Sequence, residues 1–327
     1  MFEIRRYTSD CADEWNRFVA ASKNGTFLFN RSYMDYHADR FCDGSLMVYR
    51  RNKLYALFPC NIKEEISLDT SNESETIVEK VVISHGGLTY GGLIMNEKAT
   101  AKDVLEVFKM LQYYFRQTGC KRVIYKPTPW IYHRQPAEED YYAIVELFGA
   151  RLKERALSST ISRELPNPWY RIRSCGAKKA QASGIIVRAS NDLPAFWHIL
   201  TENLATKYNL KPVHTIEEIT RLQTAFPDNI KLYAAYLGEQ MLGGTLLYIT
   251  PQVVHSQYIS ANEEGKRLHA LDLLFRQVIE TSLKSHPYFD FGISTEEHGT
   301  ILNEDLIYQK EGFGGRGICY DIYEWDV

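Results

Sequence analysis

Tyr308 and Lys310 lie two residues apart in the segment Leu306–Gly315, where we expect a short helix. A phenol, with a pKa of about 10, can give a proton to a departing group. Residues two apart on a helix point in different directions, so we expect only one of the pair at a given reacting centre. The alternative is structural: a tyrosine packed against a sheet and a lysine in solvent.

His255 and Tyr258 lie in a predicted strand, Val253–Ala261. An imidazole with a pKa near 6.5 can take a proton from an ammonium, so His255 is a candidate general base. Their odd spacing predicts that the two side chains point to opposite faces of the sheet. His214 precedes a predicted helix at Thr215, and loop residues on a rigid scaffold commonly bind ligand. Both histidines could instead be purely structural.

The loop Tyr125–Pro136 is stiffened by prolines and presents an unusual set of side chains: Trp130, Tyr132, His133 and Arg134. Aromatic rings can stack on a sugar or base, and a guanidinium can grip a phosphate. We therefore expect these four residues to bind substrate; an aromatic plug between domains is the alternative.

The segment His85–Gly92 is rich in glycine, which lets a backbone approach a ligand closely. It lacks the Lys-Ser/Thr pair of a phosphate-binding P-loop. We interpret it as a strand end near the substrate and not as a nucleotide site.

The second half of the chain shows a definite order of elements. Leu193, Phe196, Trp197 and Leu200 fall on one helical stripe, and Thr215 with Glu218 forms a capping-box pattern. The predicted elements are a strand at Gly184–Ala189, helices from Leu193 and Thr215, strands at Ile230–Leu237, Met241–Ile249 and Val253–Ala261, a helix at Leu268–Leu283, a strand at Tyr288–Gly292, the Tyr308 helix and a strand at Gly317–Trp325.

The first half follows the same order, although the two halves share negligible sequence identity. It includes a predicted helix at Arg31–Phe41 and a polar hairpin insertion at Lys63–Lys80, and the predicted connection to the second half is Pro166–Pro168 followed by Trp169–Ser183. We therefore expect an α/β fold with mixed sheets, built as two tandem domains, residues 1–165 and 166–327.

The C-terminal strand, helix and strand, with the wording Asp290-Phe291-Gly292 and then Tyr308 to Gly315, resemble the end of the GNAT acyltransferase fold, especially its FemAB-like branch. The resemblance implies two tandem GNAT-like domains, with the likelier acyl-transfer site in the second. It implies that Tyr308 protonates a departing thiolate and that Lys310 steadies developing negative charge. It also implies that backbone N–H groups along the fourth strand, including Ser260, Ala261 and Asn262, contact the cofactor.

In GNAT enzymes a Gly-rich loop at the next helix N-terminus holds the phosphates of coenzyme A. The matching segment here is Glu264–Ala270, with a single glycine and with His269 near the place of a second one. Lys266 and Arg267 could still contact phosphate through their side chains. The alternative is a solvated basic turn.

Composition excludes several classes of function. The formal net charge is −3, which does not suggest a DNA-binding protein. The six cysteines have neither disulfide-framework nor metal-site spacing, so we expect no metal and a cytoplasmic location. No apolar stretch is long enough to predict an integral membrane segment. A basic run from Leu165 to Arg188 leaves tRNA possible as a partner.

The resemblance thus implies an N-acyltransferase that moves an acyl group from acyl-CoA, such as acetyl-CoA, to an amine. The acceptor implied is an amino sugar or a lipid- or nucleotide-linked precursor of the cell envelope or a surface polysaccharide. Two alternatives remain open: a FemAB-type ligase that uses aminoacyl-tRNA, and a non-catalytic GNAT-like binding module.

Overall fold

The computed structural model describes residues 2–68 and 76–327 and divides into two compact units. The first unit comprises Met1–Ala156 with Cys319–Val327, and the second comprises Leu157–Ile318. The sequence predicts a boundary between residues 165 and 166 and places the last strand in the second domain. Most of that strand instead lies in the first unit, because Tyr323–Asp326 pairs with a strand there.

The elements that begin in the first unit are β1 (Phe2–Arg6), α1 (Ala12–Ala21), α2 (Arg31–Met34), β2 (Leu46–Arg50), β3 (Lys53–Phe58), β4 (Asn61–Leu68), β5 (Thr76–Ile83), β6 (Ile94–Met95), α3 (Ala101–Gln117), β7 (Cys120–Tyr125), α4 (Glu139–Phe148) and β8 (Arg151–Ser162). The helix predicted at Arg31–Phe41 is shorter, since a 3₁₀ turn at Asp35–His37 follows α2. β4 and β5 form the predicted hairpin, whose residues 69–75 lie outside the described residues.

The first unit contains two sheets with α3 packed on them. One has the order β1-β2-β3-β6, and the other includes β4-β5-β7. β5 and β7 run parallel, so their carboxyl ends lie at the same edge. The buried stripe of α3 comprises Val104, Val107, Phe108, Leu111 and Phe115, the helical spacing expected for a face on the core.

The remaining elements are α5 (Arg171–Ala182), β9 (Ile186–Ser190), α6 (Leu193–Tyr208), α7 (Ile216–Ala225), β10 (Ile230–Leu237), β11 (Gln240–Ile249), β12 (Val253–Ala261), α8 (Glu263–Arg267), α9 (Ala270–Ser285), β13 (Tyr288–Ile293), β14 (Thr295–Glu296), β15 (Ile301–Leu302), α10 (Glu304–Glu311) and β16 (Arg316–Asp326). The capping box predicted at Thr215 and Glu218 is confirmed. The segment predicted as a connection, Trp169–Ser183, is largely the helix α5. The helix predicted at Leu268–Leu283 starts later, because His269 has a left-handed backbone.

The sheet of the second unit has the order β8-β13-β12-β11-β10-β9, and its only described parallel pair is β12 with β13. That pairing spans three residues and stops at His255 opposite Asp290. β12 then continues to Ala261 and β13 to Ile293 without pairing to each other. The two strands therefore separate in the middle of the sheet.

One face of this sheet carries α9. Phe289 and Phe291 of β13 pack on Phe275 of α9, with ring centroids 6.3 and 5.1 Å apart. Because side chains alternate along a strand, Asp290 points to the opposite face. The site described below uses both faces at the point of separation.

A buried acid in the first unit generates a pH prediction. Asp140 of α4 accepts a hydrogen bond from the Tyr125 hydroxyl at 2.6 Å, and burial raises the pKa of Asp140 to about 7. The folded state therefore favours the protonated acid. The contribution of Asp140 to the free energy of unfolding is therefore fully present below the unfolded pKa of about 3.9. It is lost as the pH rises to the folded pKa of about 7.

We expect the free energy of unfolding in urea to fall between about pH 4 and pH 7, and Asp140→Asn to remove much of that fall. Glu146→Gln, at an exposed position of the same helix, is the control and should keep the wild-type pH dependence. Equal pH dependence in Asp140→Asn and the wild type would contradict the prediction.

Candidate active site

A largely apolar pocket of about 420 Å³ lies in the second unit and is bordered by β12 and β13 where they separate. Its walls come from α6, β12, α9, β13 and α10. The lining residues are Leu200, Asn203, Leu204, Lys207, Ile259, Ser260, Ala261, Lys266, Leu271, Phe275, Phe291, Leu306, Gln309, Lys310 and Phe313. The pocket has the size and character of a small-molecule site, with few polar groups on an apolar lining.

Lys310 is the buried cation of this pocket, with 4% of its surface exposed. Its Nζ donates to the carbonyl oxygens of Gly292 at 2.8 Å and Ile293 at 2.6 Å. Burial lowers the pKa of Lys310 to about 8, while Asp290 acts in the opposite direction. An ammonium has three N–H groups, so one remains beyond these two bonds. Gly292 has φ +79°, a conformation that favours glycine.

His255 and Asp290 form a hydrogen-bonded pair at the last paired position of β12 and β13. The His255 Nδ1 lies 2.7 Å from Oδ2 of Asp290, which is fully buried. Asp290 also accepts hydrogen bonds from Ser158 at 2.5 Å and Thr160 at 2.7 Å. Burial alone would raise the pKa of Asp290, but these bonds and the nearby His255 hold it below its ordinary value.

The carboxylate determines what His255 can do. When Nδ1–H donates to Asp290, Nε2 of the neutral ring carries the lone pair and can accept a proton. The side chain of His255 is 12% exposed, so the ring is largely held in place by its surroundings. Such a pair is suited to general base catalysis.

The prediction that His255 and Tyr258 point to opposite faces is wrong. His255 lies opposite Tyr248 and Tyr258 lies opposite Leu246, and the register shifts by one residue between these pairs. Tyr248 and Leu246 are two apart on β11, so His255 and Tyr258 share a face. The bulge at Gln257 causes the change, and a spacing rule for regular strands does not detect it.

Tyr258 and His214 are brought together as expected for a common site. The Tyr258 hydroxyl lies 2.6 Å from Nδ1 of His214, and its ring packs edge-on against Trp197 of α6. His214 is buried, at 6% exposure, in the loop before α7. These residues lie on the same face of the sheet as His255.

Ser260, Ala261 and Asn262 are held in the pocket wall by local bonds. Asn203 of α6 donates to the Ser260 hydroxyl at 2.7 Å and to the Ala261 carbonyl at 2.8 Å. The Asn262 side chain accepts from the Gly265 N–H and caps α8. The cap of α8 therefore already uses part of the hydrogen-bonding capacity of this turn.

The two expected phosphate-binding side chains are each paired with an acid. Lys266 contacts Glu263 at 2.6 Å, and Arg267 contacts Glu264 at 3.6 Å. Lys266 also donates to Asn203 and lines the pocket. Both pairs are exposed, so they are weak and could exchange for a ligand.

The first turn of α9 carries a carboxylate of the chain itself, Asp272. Asp272 is 3% exposed and contacts Arg173 of α5 and Nδ1 of His269, both at 3.1 Å. His269 adopts φ +59°, the conformation for which a glycine would be usual. A diphosphate at this helix end would have to compete with Asp272, so the local field disfavours a second anion.

Tyr308 lies away from the lining of the pocket. It is 53% exposed, and its ring packs against Tyr170 at a centroid distance of 5.3 Å. Lys310, two residues on, is buried, so the two side chains diverge as a helix requires. The role of Tyr308 as an acid stays a prediction.

The four residues of the Tyr125–Pro136 loop belong to the first unit. Trp130 is half-exposed, whereas Tyr132 is buried with its hydroxyl 3.0 Å from that of Tyr320. His133 lies 2.9 Å from the Thr128 carbonyl, and burial lowers the pKa of His133 to about 4. Arg134 donates to the Ala20 carbonyl. Substrate binding by these residues stays a prediction.

Asp290 is a candidate site residue that the sequence alone did not single out. Its signal is present in Phe289-Asp290-Phe291, where an acid stands between two phenylalanines that a core-facing strand explains. Among the described residues, no group of three or more His, Cys, Asp or Glu side chains could hold a metal ion. None of the helices, over those same residues, is both long and apolar enough to cross a membrane.

Residues 170–299 match the family model of the acetyltransferase (GNAT) domain. Among curated proteins, none matches this chain significantly in sequence. The matched segment contains α5 to the turn after β14, and thus His255, Asp290 and most of the pocket wall.

Solved structures show the same fold over the whole chain. FemX is similar with a TM-score of 0.70 at 10% identity, over 99% of this chain and 97% of FemX. A conserved protein of unknown function from Bacteroides thetaiotaomicron gives 0.61 at 9% identity, over 100% of both chains. L-PGS from Bacillus licheniformis gives 0.58 at 11% identity, over 96% of this chain and 91% of L-PGS. At these identities the likeness shows the fold alone.

The buried carboxylate of Asp290 generates a stability prediction. We expect Asp290→Ala to lower the free energy of unfolding by about 3–5 kcal/mol, because three donors lose their acceptor in a buried setting. The control is Asp305→Ala, which removes an exposed acid from α10. Urea denaturation at neutral pH measures both.

The pH dependence provides a second readout. Since the pKa of Asp290 is held low in the folded state, its contribution is present at neutral pH and is lost as the pH falls through the folded value. The gap between Asp290→Ala and the wild type should therefore shrink in acid. A loss no greater than that of Asp305→Ala would contradict the assignment.

Proposed function

We propose that this chain, whose residues 170–299 match the GNAT domain, is a FemAB-like acyltransferase that transfers an acyl group to the amine of a small cell-envelope precursor. One arrangement carries the proposal: the Lys310 ammonium lies at an apolar pocket, and the His255–Asp290 pair lies where the strands beside that pocket separate. The proposed site thus has a cation for the carbonyl oxygen and a base for the amine.

The pocket suits the acyl donor. Its apolar lining, including Leu204, Phe275, Phe291 and Phe313, can bury an acyl chain or the arm of a thioester. Burial also removes water, which strengthens the electrostatic effect of Lys310 on a reacting carbonyl. We propose that the carbonyl carbon lies at the gap between β12 and β13.

Lys310 is proposed to stabilise the developing oxyanion. Two of its N–H groups are fixed by the carbonyls of Gly292 and Ile293, which orients the ammonium before substrate binds. The third N–H can then donate to the oxygen that gains charge as the amine attacks. Because the cation is already oriented, little reorganisation is needed during the reaction.

His255 is proposed to remove the proton of the acceptor amine. An amine is protonated at neutral pH and must lose a proton before its lone pair attacks the carbonyl. Nε2 of His255 takes this proton, and Asp290 stabilises the resulting imidazolium. The new C–N bond forms as the bond to the leaving thiolate or alkoxide breaks, and that group takes up a proton. Tyr258 and His214 on the same face are proposed to bind the acceptor.

The acceptor class is proposed from the fold likeness and from the resemblance seen in the sequence. The similar structures FemX and L-PGS support aminoacyl or acyl transfer in general. An amino sugar or another lipid- or nucleotide-linked amine of the cell envelope or a surface polysaccharide fits a base-assisted N-acylation. Acyl-CoA is the first donor to test, since the GNAT domain implies its use.

Aminoacyl-tRNA is a second candidate donor, and one observation favours it. The first turn of α9, where a GNAT enzyme would bind the diphosphate of coenzyme A, carries the carboxylate of Asp272, paired with Arg173 and His269. The neighbouring helix α5 exposes Lys178 and Lys179, which can contact phosphates of a nucleic acid.

Two substitutions test the catalytic assignment. We expect Lys310→Met and His255→Gln each to lower kcat by about 10²–10³, because one removes the oxyanion donor and the other the general base. Lys284→Met, at an exposed position of α9, should leave the rate unchanged. Rates are measured with acyl-CoA and amine acceptors, and thermal unfolding confirms that each variant folds.

Full activity in a folded Lys310→Met protein would overturn the role of Lys310. Tyr308→Phe tests the predicted acid separately. We expect this variant to lose rate with a thioester donor but not with a donor whose leaving group needs no protonation. That result would assign protonation of the departing thiolate to Tyr308.

The donor is tested by transfer of a labelled acyl group. We expect transfer from at least one acyl-CoA, and stabilisation by that ligand of about 2.7 kcal/mol at 100 times its dissociation constant. No transfer from any acyl-CoA, with salt-sensitive tRNA binding that Lys178→Glu and Lys179→Glu abolish, would establish the second donor. Absence of both would leave only the non-catalytic binding module.

A further inference from the structure

A second group of polar side chains lies in the first unit, where the parallel strands β5 and β7 end. His85, Gly86 and Gly87 follow β5, and Lys126 follows β7. The carboxyl ends of neighbouring parallel strands are a common location for ligands in α/β sheets. We call His85, Gly86, Gly87 and Lys126 the edge site.

Lys126 holds its ammonium at this edge. Its backbone N–H donates to the Ser84 hydroxyl at 2.7 Å, and its Nζ donates to the carbonyl of Leu88. The other two N–H groups of the ammonium have no hydrogen-bond partner in the part of the chain that the structure describes. Burial lowers the pKa of Lys126 to about 8, with Glu154 acting in the opposite direction.

His85 of the edge site has an uncommon backbone conformation and a buried ring nitrogen without a hydrogen bond to any described residue. The side chain is 3% exposed, and the residue has φ +59°, which is uncommon outside glycine. Its buried Nδ1 has no hydrogen-bond partner among residues 2–68 and 76–327. Strained backbone and unsatisfied buried polar atoms both destabilise a fold, and strained residues cluster at functional sites.

The surrounding residues hold His85 in place. Its ring stacks on His37 with centroids 5.3 Å apart, and Phe41 packs against both rings. The Gly86 N–H donates to the Asn61 side chain at 2.8 Å. A Cβ at Gly87 would come within 2.2 Å of Nε2 of His37, so the backbone there approaches the imidazole as only glycine allows.

The local charge is cationic. The pKa of His85 is lowered to about 3, mainly by burial and further by His37, Lys126 and Arg31. The ring is therefore neutral at neutral pH. The Arg31 guanidinium is already paired with Asp35 at 2.6 Å and Asp43 at 3.0 Å. The Glu154 carboxylate favours the charged form of Lys126 and so raises its pKa, against the effect of burial. The cation at the edge site is therefore Lys126, next to a neutral imidazole.

We propose that the edge site binds the oxyanion of a small molecule, a carboxylate or a phosphoryl group, between the Lys126 ammonium and the His85 imidazole. The ammonium supplies charge and two N–H donors, and the neutral ring supplies one N–H donor from whichever nitrogen is protonated. A bound oxyanion would satisfy the donors that the described residues leave unpartnered. This site lies within the first unit and does not depend on the acyl chemistry proposed for the second.

Calorimetric titration of the full-length protein tests this proposal. The probes are inorganic phosphate and acetate, at constant ionic strength set with sodium chloride. We expect saturable binding of at least one anion, and Lys126→Met should weaken it by about tenfold or more, as expected for a lost charge-assisted hydrogen bond. Lys121→Met removes an exposed lysine from the same strand and should have no effect.

A measurement on the wild type avoids any folding defect of the variants. The ring ¹⁵N resonances of His85, assigned with His85→Gln, should shift during the same titration and saturate at the same concentration. Binding of phosphate without acetate identifies a phosphoryl ligand, and the reverse identifies a carboxylate. No saturable response to either anion, or equal binding by Lys126→Met and Lys121→Met, would overturn the proposal.

Discussion

The buried carboxylate of Asp290 is the interaction on which the second unit's site depends. It accepts hydrogen bonds from Ser158 and Thr160 on one neighbouring strand and contacts His255 on the other. The pairing of β12 with β13 stops at this residue. One group therefore fixes three strands, orients the imidazole, and marks the place where the sheet opens to the pocket. Burial would favour loss of its charge, and the converging donors reverse that effect.

The two units use lysine in a similar way. Lys310 and Lys126 each follow or flank a strand end, each donates to backbone carbonyl oxygens, and burial lowers the pKa of each to about 8. A lysine held by the backbone retains N–H groups for a ligand and loses little entropy on binding. The repeated architecture thus places comparable cations at two separate positions, although the two halves share negligible sequence identity.

The turn before α9 differs from the pattern of the GNAT enzymes that this chain resembles. Where glycines would leave N–H groups open for a diphosphate, the chain has a short helix, a left-handed histidine and a buried acid. Helix N-termini favour anions, and here the first turn already contains the carboxylate of Asp272. Whether the donor is acyl-CoA or aminoacyl-tRNA therefore depends on this turn more than on the pocket. The apolar walls of the pocket would accept acyl groups of several kinds.

The order of most elements could be predicted from the sequence, because hydrophobic period and capping residues act over a few neighbouring positions. The GNAT-like ending was predicted from its resemblance to that family. The predicted divergence of Tyr308 and Lys310 is likewise a local property of a helix. Tertiary structure alone decided the rest. The bulge at Gln257 placed His255 and Tyr258 on one face, the converging hydroxyls made Asp290 a buried anion, and the bond from Lys126 to Leu88 formed the edge site. Each of these depends on residues far apart in the chain, whose meeting follows from strand pairing and not from local pattern.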